Sequence, residues 1–444
     1  MRRNSTARSD ALYERALKVM PGGNTRSTIF IKPHPPYAAK GKGAIVTDVD
    51  GVDRLDFTNN FFSLIHGHAY RPIIEAVKAQ AELGSCFGLP TESEILLAEE
   101  ICGRNPAFEQ IRFANSGTEA VLATVKAARA FTGRPKIAKI EGSYHGAYDH
   151  VEVSLDSSPA NWGGATPAPV PYVKGTPPAV LADTVVIPFN DAEAAKRLIA
   201  KHAKELACVL VDLMPSRVGM VPADVDFVTV LREETKRHGV LLAIDEVITF
   251  RLAPGGLQSA YGIAADLTAL AKIIGGGFPV GAVVGRRGVM AVFDPTRGKP
   301  AVPQGGTMTA NPITMAAGLV TMQHLTRDAY ARLDRLGERA RTGLTEALKQ
   351  AGVPGQVCGL GSLFRLHLTA EPITNYRAAY PDAAKLAALD VIHRHLLDNG
   401  VLVTPQLSGA LSTPMVEKDI DRLVELVAEA LPTAKEHLRP AAAE

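Results

Sequence analysis

The sequence is 444 residues long, with 46% hydrophobic and 21% charged residues. This length predicts more than one domain, or one large domain with a smaller lobe, and the composition is typical of a soluble globular protein. The formal charge of +2 gives no reason to expect nucleic acid or an acidic membrane as a partner. The four cysteines are scattered without CxxC spacing, which disfavours a zinc site and a disulfide framework and favours a reducing compartment.

Membrane insertion and secretion are also disfavoured. No segment approaches the ~20 apolar residues of a membrane span. The first ten residues are basic but lack the apolar core of a secretory signal. We therefore expect a cytoplasmic protein.

The N-terminal part of the chain carries clear start and turn signals. Ser9-Asp10 is typical of the cap of a helix that continues to Met20, and the loop after it carries Arg26 at its tip. Residues 44–57 alternate around Asp-Gly, which predicts a hairpin. Two helices are predicted next, at 71–83 and at 91–102, and the second begins with a Thr-x-x-Glu capping box.

From about residue 110 the pattern alternates between strand and helix. Strands are predicted at 111–114, 136–140, 185–187, 208–212 and 240–244, and helices at 117–131 and 224–238. This alternation predicts an α/β fold with a mostly parallel sheet and a ligand at the carboxyl ends of its strands. Beyond residue 311 the chain is mainly helical, at 311–325, 328–351, 382–399 and from 416. With a strand at 362–368, these helices predict a smaller α+β lobe.

Three of the strand ends carry the parts of a pyridoxal phosphate site. Lys272 follows an apolar run and precedes a Gly-Gly-Gly turn, Asp245 ends another apolar run, and Ser116-Gly117-Thr118 opens a helix. A lysine amine forms the Schiff base with this cofactor, a carboxylate keeps its pyridine nitrogen protonated, and a helix N-terminus binds phosphate. Alone, each part is more often a solvated strand end, a turn residue or an N-cap. Their joint occurrence favours the cofactor site.

Two further segments bear on such a site. Tyr144, in a Tyr-His-Gly loop, could stack on a planar ring, although such an aromatic is more often simply a half-buried loop residue. The Pro-, Gly- and Ala-rich stretch 156–178 is too long for a plain connector. It is either an active-site lid, a dimer-contact loop or a surface excursion. A Walker loop and a GxGxxG dinucleotide fingerprint are both missing from the sequence, and we expect no metal.

Several motifs together resemble the class III, fold type I aminotransferases. They are Asn-Ser-Gly-Thr-Glu-Ala at 115–120, Gly-Ser-Tyr-His-Gly at 142–146, Asp-Glu-Val at 245–247, Leu-Ala-Lys-Ile-Ile-Gly-Gly-Gly at 270–277 and Gly-Thr-Met-Thr-Ala-Asn-Pro at 306–312. The resemblance covers nearly the whole chain. Within the family, the motifs of this sequence most resemble those of the glutamate-1-semialdehyde aminomutases and the β-amino-acid (β-phenylalanine) aminotransferases. The latter share the Pro-Gly-x-Asn-x-Arg-Ser opening at 21–27 and the Arg-Leu-Ala-Pro run at 251–254.

The resemblance implies a role for each matching residue. Lys272 would be the Schiff-base lysine and proton shuttle, and Asp245 would pair with the pyridine nitrogen. The remaining cofactor contacts would be Ser116, Gly117 and Thr118 at the phosphate, Tyr144 and Val247 on the two ring faces, and Thr307 at the phosphate of the neighbouring subunit. This last contact implies a homodimer with shared sites. The implied division is an N-terminal segment (1–56) joining the small domain, a cofactor-binding large domain (57–315) and a C-terminal small domain (316–444).

The positions at which this sequence differs from the family's motifs bear on substrate binding more than on cofactor binding. Asp212-Leu-Met-Pro215 stands where relatives commonly have Glu-Pro-x-Gln, and Gln406 stands where an α-carboxylate clamp is often an arginine. Arg217 is either a replacement anion clamp or a surface-loop arginine. Arg26 would border the substrate pocket and bind a carboxylate through two parallel hydrogen bonds.

These features predict an aminotransferase for an amino acid or amine whose amino group is not α to the carboxylate, such as a β-amino acid. A keto acid would be the amino acceptor. Two alternatives stay open: an aminomutase or racemase that uses the same site, and a cofactor-fold protein without turnover.

Overall fold

The computed structural model of the chain describes residues 6–296 and 298–438. Its strands, in chain order, are β1 (Ala38–Lys42), β2 (Ile45–Asp48), β3 (Asp53–Asp56), β4 (Gln110–Ala114), β5 (Lys136–Ile140), β6 (Thr184–Ile187), β7 (Leu206–Val211), β8 (Leu241–Asp245), β9 (Leu267–Ala271), β10 (Gly281–Gly285), β11 (Gln356–Cys358), β12 (Leu363–His367), β13 (Val401–Leu402) and β14 (Ser408–Ala410).

A seven-stranded sheet, in the order β4-β10-β9-β8-β7-β5-β6, forms the centre of the molecule. Four neighbouring pairs are parallel, namely β9-β8, β8-β7, β7-β5 and β5-β6. Strand β10 runs antiparallel to both β9 and β4. The α/β fold with a mostly parallel sheet, predicted from the sequence, is therefore confirmed. Because β10 is reversed, β4 again points in the same direction as β9, and its carboxyl end lies at the same edge of the sheet.

Both faces of this sheet are covered, as its near-continuous apolar strands require. Successive residues of a strand point to opposite faces. In β7, Cys208 and Leu210 pack with the helix that begins at Gly117, while Val209 and Val211 pack with the helices on the other side. This arrangement fixes the sheet between two layers of helices.

Two smaller sheets lie outside the central one. The predicted hairpin is confirmed, since β2 and β3 pair antiparallel around Gly51, whose φ is +86°. β1 extends this hairpin on one side, and β13, from the C-terminal part of the chain, pairs parallel with β3 on the other. The second small sheet has the order β11-β12-β14.

The helices predicted from the sequence are all present, with two corrections at their starts. They are Ala7–Leu17, Arg71–Leu83, Glu92–Cys102, Gly117–Thr132, Val225–His238, Pro312–His324, Arg327–Gln350, Ala383–Asp398 and Glu417–His437. The structure adds helices that were not predicted: Asp149–Glu152, Pro178–Ala182, Ala192–His202, Leu257–Ala260, Arg287–Met290 and Tyr376–Ala379. Within the described parts of the chain, none of them is long and apolar enough to cross a membrane.

The first correction concerns the N-terminal helix, where Ser9 and Asp10 lie inside the helix rather than at its cap. The helix also ends at Leu17 instead of Met20. The reason is a tertiary contact: the Asp50 carboxylate in the hairpin turn accepts the backbone N–H groups of Arg8 and Ser9. These bonds satisfy N–H groups that a local cap would otherwise serve.

The second correction concerns the capping box predicted at Thr91. The Thr91 hydroxyl is hydrogen-bonded to the Ser93 hydroxyl at 3.0 Å instead of capping the helix Glu92–Cys102. The helix start itself was predicted correctly.

Two arginines tie distant parts of the chain together. The buried guanidinium of Arg251 donates to Phe62 O at 2.9 Å, to Ser362 Oγ at 2.9 Å and to Leu411 O. Arg377 donates to Glu141 and to the carbonyl of Trp162, and its guanidinium lies 5.0 Å from the centre of the Trp162 ring. The stretch 156–178 is therefore held against the helix Tyr376–Ala379.

Candidate active site

A cavity of about 380 Å³ opens where the carboxyl ends of β4, β5, β7, β8 and β9 meet. Its volume is within the ordinary range of small-molecule sites. Most residues predicted for the cofactor site line it. Together with their neighbours, the lining residues are Asn60, Ser63, Asn115, Ser116, Gly117, Thr118, Val121, Tyr144, His145, Gly146, Asp212, Asp245, Val247, Ile248, Ala271, Lys272, Gly277, Phe278, Pro279 and Val280.

Lys272 lies at the floor of this cavity, directly after β9. Its φ is +52°, a left-handed conformation that non-glycine residues seldom adopt and that often marks a functional position. Burial lowers the pKa of its amine, and the nearby carboxyls of Asp245 and Asp212 oppose this shift. The lowered pKa increases the fraction of neutral amine, which is the form that reacts with a carbonyl.

Asp245 ends β8 and is held in one orientation. Its Oδ1 accepts the backbone N–H of Val247 at 2.9 Å, and its Oδ2 accepts Nδ1 of His145 at 2.8 Å. Burial lowers the pKa of His145 although Asp245 opposes the shift, so the imidazole is neutral near pH 7. Nε2 of His145 is buried and has no hydrogen-bond partner within the described structure.

Asp212, directly after β7, is the second acid in the cavity. Burial raises its pKa well above 3.8, and the charge of Asp245 raises it further. Its Oδ1 accepts the backbone N–H of Met214 at 2.9 Å. Two acids in one low-polarity site disfavour each other's ionisation, so Asp212 is the one pushed towards the protonated form.

The N-terminus of the helix Gly117–Thr132 points into the cavity. Its first N–H groups have no partner within the helix and carry partial positive charge, which suits a phosphate group. Oγ of Ser116 accepts the N–H of Glu119, and Oγ1 of Thr118 accepts the N–H of Ala147, so both hydroxyl hydrogens stay free to donate. A side chain at Gly117 would lie 3.3 Å from the Val247 methyl groups, so glycine keeps this end of the cavity open.

The cavity fits pyridoxal phosphate by the chemistry of its walls. Tyr144, with 51% of its surface exposed, and the branched side chain of Val247 both line the cavity. A helix N-terminus for phosphate, an amine at Lys272 and a carboxylate at Asp245 complete the set that a charged planar ring with a phosphate arm requires.

Three predicted residues lie outside the cavity wall. Thr307 is in the exposed segment 305–308 and does not line the cavity of its own chain. Arg217 is engaged elsewhere, because its Nη2 donates to the Asp156 carboxylate at 2.8 Å. Arg26 lies at the mouth, where its Nη1 donates to Oδ1 of Asn60, a lining residue, at 2.7 Å.

The segment Asn59–Phe62 forms a left-handed turn beside this mouth. Its four residues have φ between +44° and +71°, and each costs about 1–2 kcal/mol in an L-amino acid. The turn is held from both ends. Oδ1 of Asp56 accepts the N–H groups of Thr58 and Asn59, Asn59 Nδ2 donates to Ala410 O at 2.7 Å, and Phe62 O accepts from the buried arginine at 251.

His145 and Asn60 line the cavity but are not predicted from the sequence to have a role in it. His145 lies in the Tyr-His-Gly motif, of which only Tyr144 is predicted to contact the cofactor. Asn60 is not predicted, because a left-handed turn without glycine leaves only a weak signal in the sequence. An Asn-Asn pair before two aromatic residues was the one available sign, since asparagine tolerates positive φ better than most residues.

Comparisons with known proteins agree with this geometry. The model of the Aminotransferase class-III family matches residues 32–418. A glutamate-1-semialdehyde 2,1-aminomutase from Methanothermobacter thermautotrophicus is 39% identical over 427 residues, covering 95% of this chain and 99% of the relative.

Two solved structures extend the comparison. An omega-transaminase from Sphaerobacter thermophilus is 51% identical, with a TM-score of 0.94, and the match covers 96% of this chain and 97% of that one. A β-phenylalanine aminotransferase from Variovorax paradoxus is 36% identical, with a TM-score of 0.86, and the match covers 95% and 93%. The chain thus belongs to the class III aminotransferases and is a pyridoxal-phosphate-dependent enzyme of fold type I.

Proposed function

We propose that the enzyme transfers an amino group to a keto acid from an amino acid or amine whose amino group is not α to the carboxylate, such as a β-amino acid. The observation that carries this proposal is the position of Arg26 at the mouth of the cavity, with a neutral amide as its partner. A guanidinium at the mouth binds a carboxylate some distance from the amine that reacts at Lys272. The 36% identity to a β-phenylalanine aminotransferase supports the same substrate class.

Each residue of the cavity has a definite task in this proposal. Bound pyridoxal phosphate supplies the covalent attachment of the substrate amine and the electron sink for breaking the C–H bond on the carbon that carries this amine. Lys272 holds the cofactor and then moves the proton, for which a lowered amine pKa is suitable. Asp245 keeps a proton on the pyridine nitrogen, and the neutral His145 fixes the orientation of that carboxylate.

The remaining contacts position the cofactor. The helix start at Ser116, Gly117 and Thr118 binds the phosphate, and Tyr144 and Val247 restrict the ring from its two faces. The arginine at 217 plays a smaller part than Arg26, because the Asp156 carboxylate already neutralises it.

The enzyme is proposed to act as a homodimer in the cytoplasm, with Thr307 reaching the phosphate of the neighbouring subunit. Large apolar side chains are exposed around the segment that holds Thr307: Leu83 is 75% exposed, Leu89 77% and Met308 51%. Sγ of Cys86, between the two leucines in the chain, lies 3.4 Å from the sulfur of Met308. An apolar surface of this kind is typical of a protein–protein interface. We propose the domain boundaries that the resemblance implies: an N-terminal segment at 1–56, a large domain at 57–315 and a small domain at 316–444.

A glutamate-1-semialdehyde-type aminomutase is the second candidate, because relatives with that name are up to 39% identical over almost the whole chain. Half-reactions distinguish the two. Given donor alone, an aminotransferase releases about one keto product per site and stops until an acceptor is added, whereas an aminomutase or a racemase releases no net keto product. Conversion of the donor without keto product in this assay would refute the aminotransferase proposal.

The substrate class is tested with β-phenylalanine and 1-phenylethylamine, which differ only in that the second has a hydrogen in place of the carboxylate. Arg26→Ala should lower kcat/KM for β-phenylalanine by about ten- to a hundredfold, since a hydrogen-bonded charge is lost. The value for 1-phenylethylamine should change much less. Equal losses on both substrates, or no loss on either, would show that Arg26 is structural.

A further inference from the structure

The backbone conformation that positions the Asn60 side chain is energetically unfavourable. It lies in the left-handed turn Asn59–Phe62, and its own φ and ψ are +50° and +60°. Strain of this kind persists only where the surroundings determine the conformation, and it is concentrated at functional sites. Here the surroundings are the Asp56 carboxylate, the Ala410 carbonyl and the buried guanidinium of Arg251.

The turn directs Asn60 towards Arg26. Oδ1 of Asn60 accepts Nη1 of Arg26 at 2.7 Å, and Cζ of Arg26 lies 5.9 Å from the ring centre of Phe61. Two successive residues of the turn thus contact the same guanidinium, one at its edge and one at its face. Because Asn60 also lines the cavity, its hydrogen bond keeps the exposed guanidinium beside the cavity mouth.

The chemistry of this contact differs from that of Arg217. The guanidinium of Arg217 donates to a carboxylate, that of Asp156, and is neutralised by it. Across residues 6–296 and 298–438, no Asp or Glu oxygen lies within ion-pair distance of Arg26. An amide oxygen orients a guanidinium but adds no negative charge, so the full charge stays available to a bound anion.

We propose that Asn60 determines the preference of the enzyme for a carboxylate substrate, by orienting Arg26 without neutralising it. This inference rests on the proposed function, in which Arg26 binds the substrate carboxylate. Asn60 acts through Arg26, so it is a positioning residue. Asparagine meets both requirements of the position: it tolerates the left-handed backbone and it carries a neutral acceptor.

The test compares Asn60→Asp, which is nearly isosteric and adds a charge, with Asn60→Gly, which removes the side chain and accepts positive φ without strain. The readout is the ratio of kcat/KM for β-phenylalanine to that for 1-phenylethylamine, measured on holoenzyme with its cofactor content checked by absorbance. A general loss of folding or of cofactor lowers both values and leaves their ratio in place.

Asn60→Asp should lower this ratio by at least about tenfold, because an ion pair would occupy Arg26. Asn60→Gly should lower it by about three- to tenfold, because Arg26 keeps its charge but loses its orientation. In an Arg26→Ala background, Asn60→Gly should lower the ratio no further.

The outcomes separate the two proposals. If Arg26→Ala lowers the ratio but neither Asn60 variant does, the role of Asn60 is wrong and the substrate class stands. If Asn60→Gly lowers the ratio equally with and without Arg26, Asn60 does not act through Arg26 and the inference is overturned. If Arg26→Ala leaves the ratio unchanged, the substrate class fails, and the inference fails with it.

Discussion

Nδ1 of His145 lies 2.8 Å from Oδ2 of Asp245, and both side chains are buried at the cavity floor. Because burial lowers the pKa of His145, the imidazole is neutral and donates its Nδ1 hydrogen to the carboxylate. The second oxygen of Asp245 is fixed by the N–H of Val247. The carboxylate is therefore held in one orientation from both of its oxygens.

Asp245→Asn should keep the cofactor but lose turnover by at least about a hundredfold, since an amide cannot keep the pyridine nitrogen protonated. The variant is nearly isosteric, so the hydrogen bond from Val247 is retained. Cofactor content is measured by absorbance, and the half-reaction rate by stopped flow. A rate close to that of the wild type would mean that another acid performs this task.

Asp212→Asn should be far milder, with kcat within about tenfold of the wild type, because an amide resembles the uncharged carboxyl that burial and Asp245 favour at this position. Asp245→Asn, assayed side by side, is the matched control, since both changes replace a cavity acid by its amide. If Asp212→Asn proves as inactive as Asp245→Asn, Asp212 works in its charged form.

Thr307 offers a test of the shared site. Lys272→Ala and Thr307→Arg should each be inactive, the second because a bulky side chain blocks the phosphate of the neighbouring subunit. Refolding the two variants together should restore activity, because a mixed dimer with isologous sites contains one intact site. Light scattering checks that each variant is a dimer. Two dimeric variants that do not complement each other would assign Thr307 to the site of its own chain.

His367 makes the stability of the protein depend on pH. Burial, assisted by the charge of Arg365, lowers its pKa from 6.5 to about 3, and its Nε2 donates to Gly219 O at 2.8 Å. Since the unfolded histidine binds a proton more readily, its contribution is complete above pH 6.5 and is lost as the pH falls towards 3.

Between pH 7 and pH 5 this residue should account for about 2 kcal/mol of the loss in unfolding free energy. His367→Gln retains an N–H donor but does not titrate. The unfolding free energies of the variant at pH 7 and pH 5, measured by urea unfolding, should therefore differ by about 2 kcal/mol less than those of the wild type. An unchanged pH dependence in the variant would show that folding does not lower the pKa of His367.

The cofactor end of the site could be predicted because its signals are local in sequence. Lys272, Asp245 and Ser116 each follow a strand, and the parallel order of the strands brings their carboxyl ends to one edge of the sheet. The longer helices and the parallel strands of the central sheet were mostly predicted for the same reason, because apolar periodicity reports which face is buried. The family resemblance added the roles of Tyr144 and Val247.

The substrate end could not be predicted, because its geometry depends on contacts between distant segments. The ion pair of Arg217 with Asp156 and the turn that presents Asn60 both arise from tertiary packing. The same limit applies at Ser9, where a carboxylate from the hairpin replaced the expected local cap. Local patterns report propensity, whereas these positions are decided by partners far along the chain.

The parallel pairing of β13 with β3 has a consequence for folding during synthesis of the protein. β3 leaves the ribosome with one edge unpaired, long before Val401–Leu402, which covers that edge, is synthesised. An open strand edge is a template for association with other chains. The nascent enzyme therefore carries this hazard until Val401–Leu402 has been synthesised, and slowing the supply of new chains should favour soluble product over aggregate.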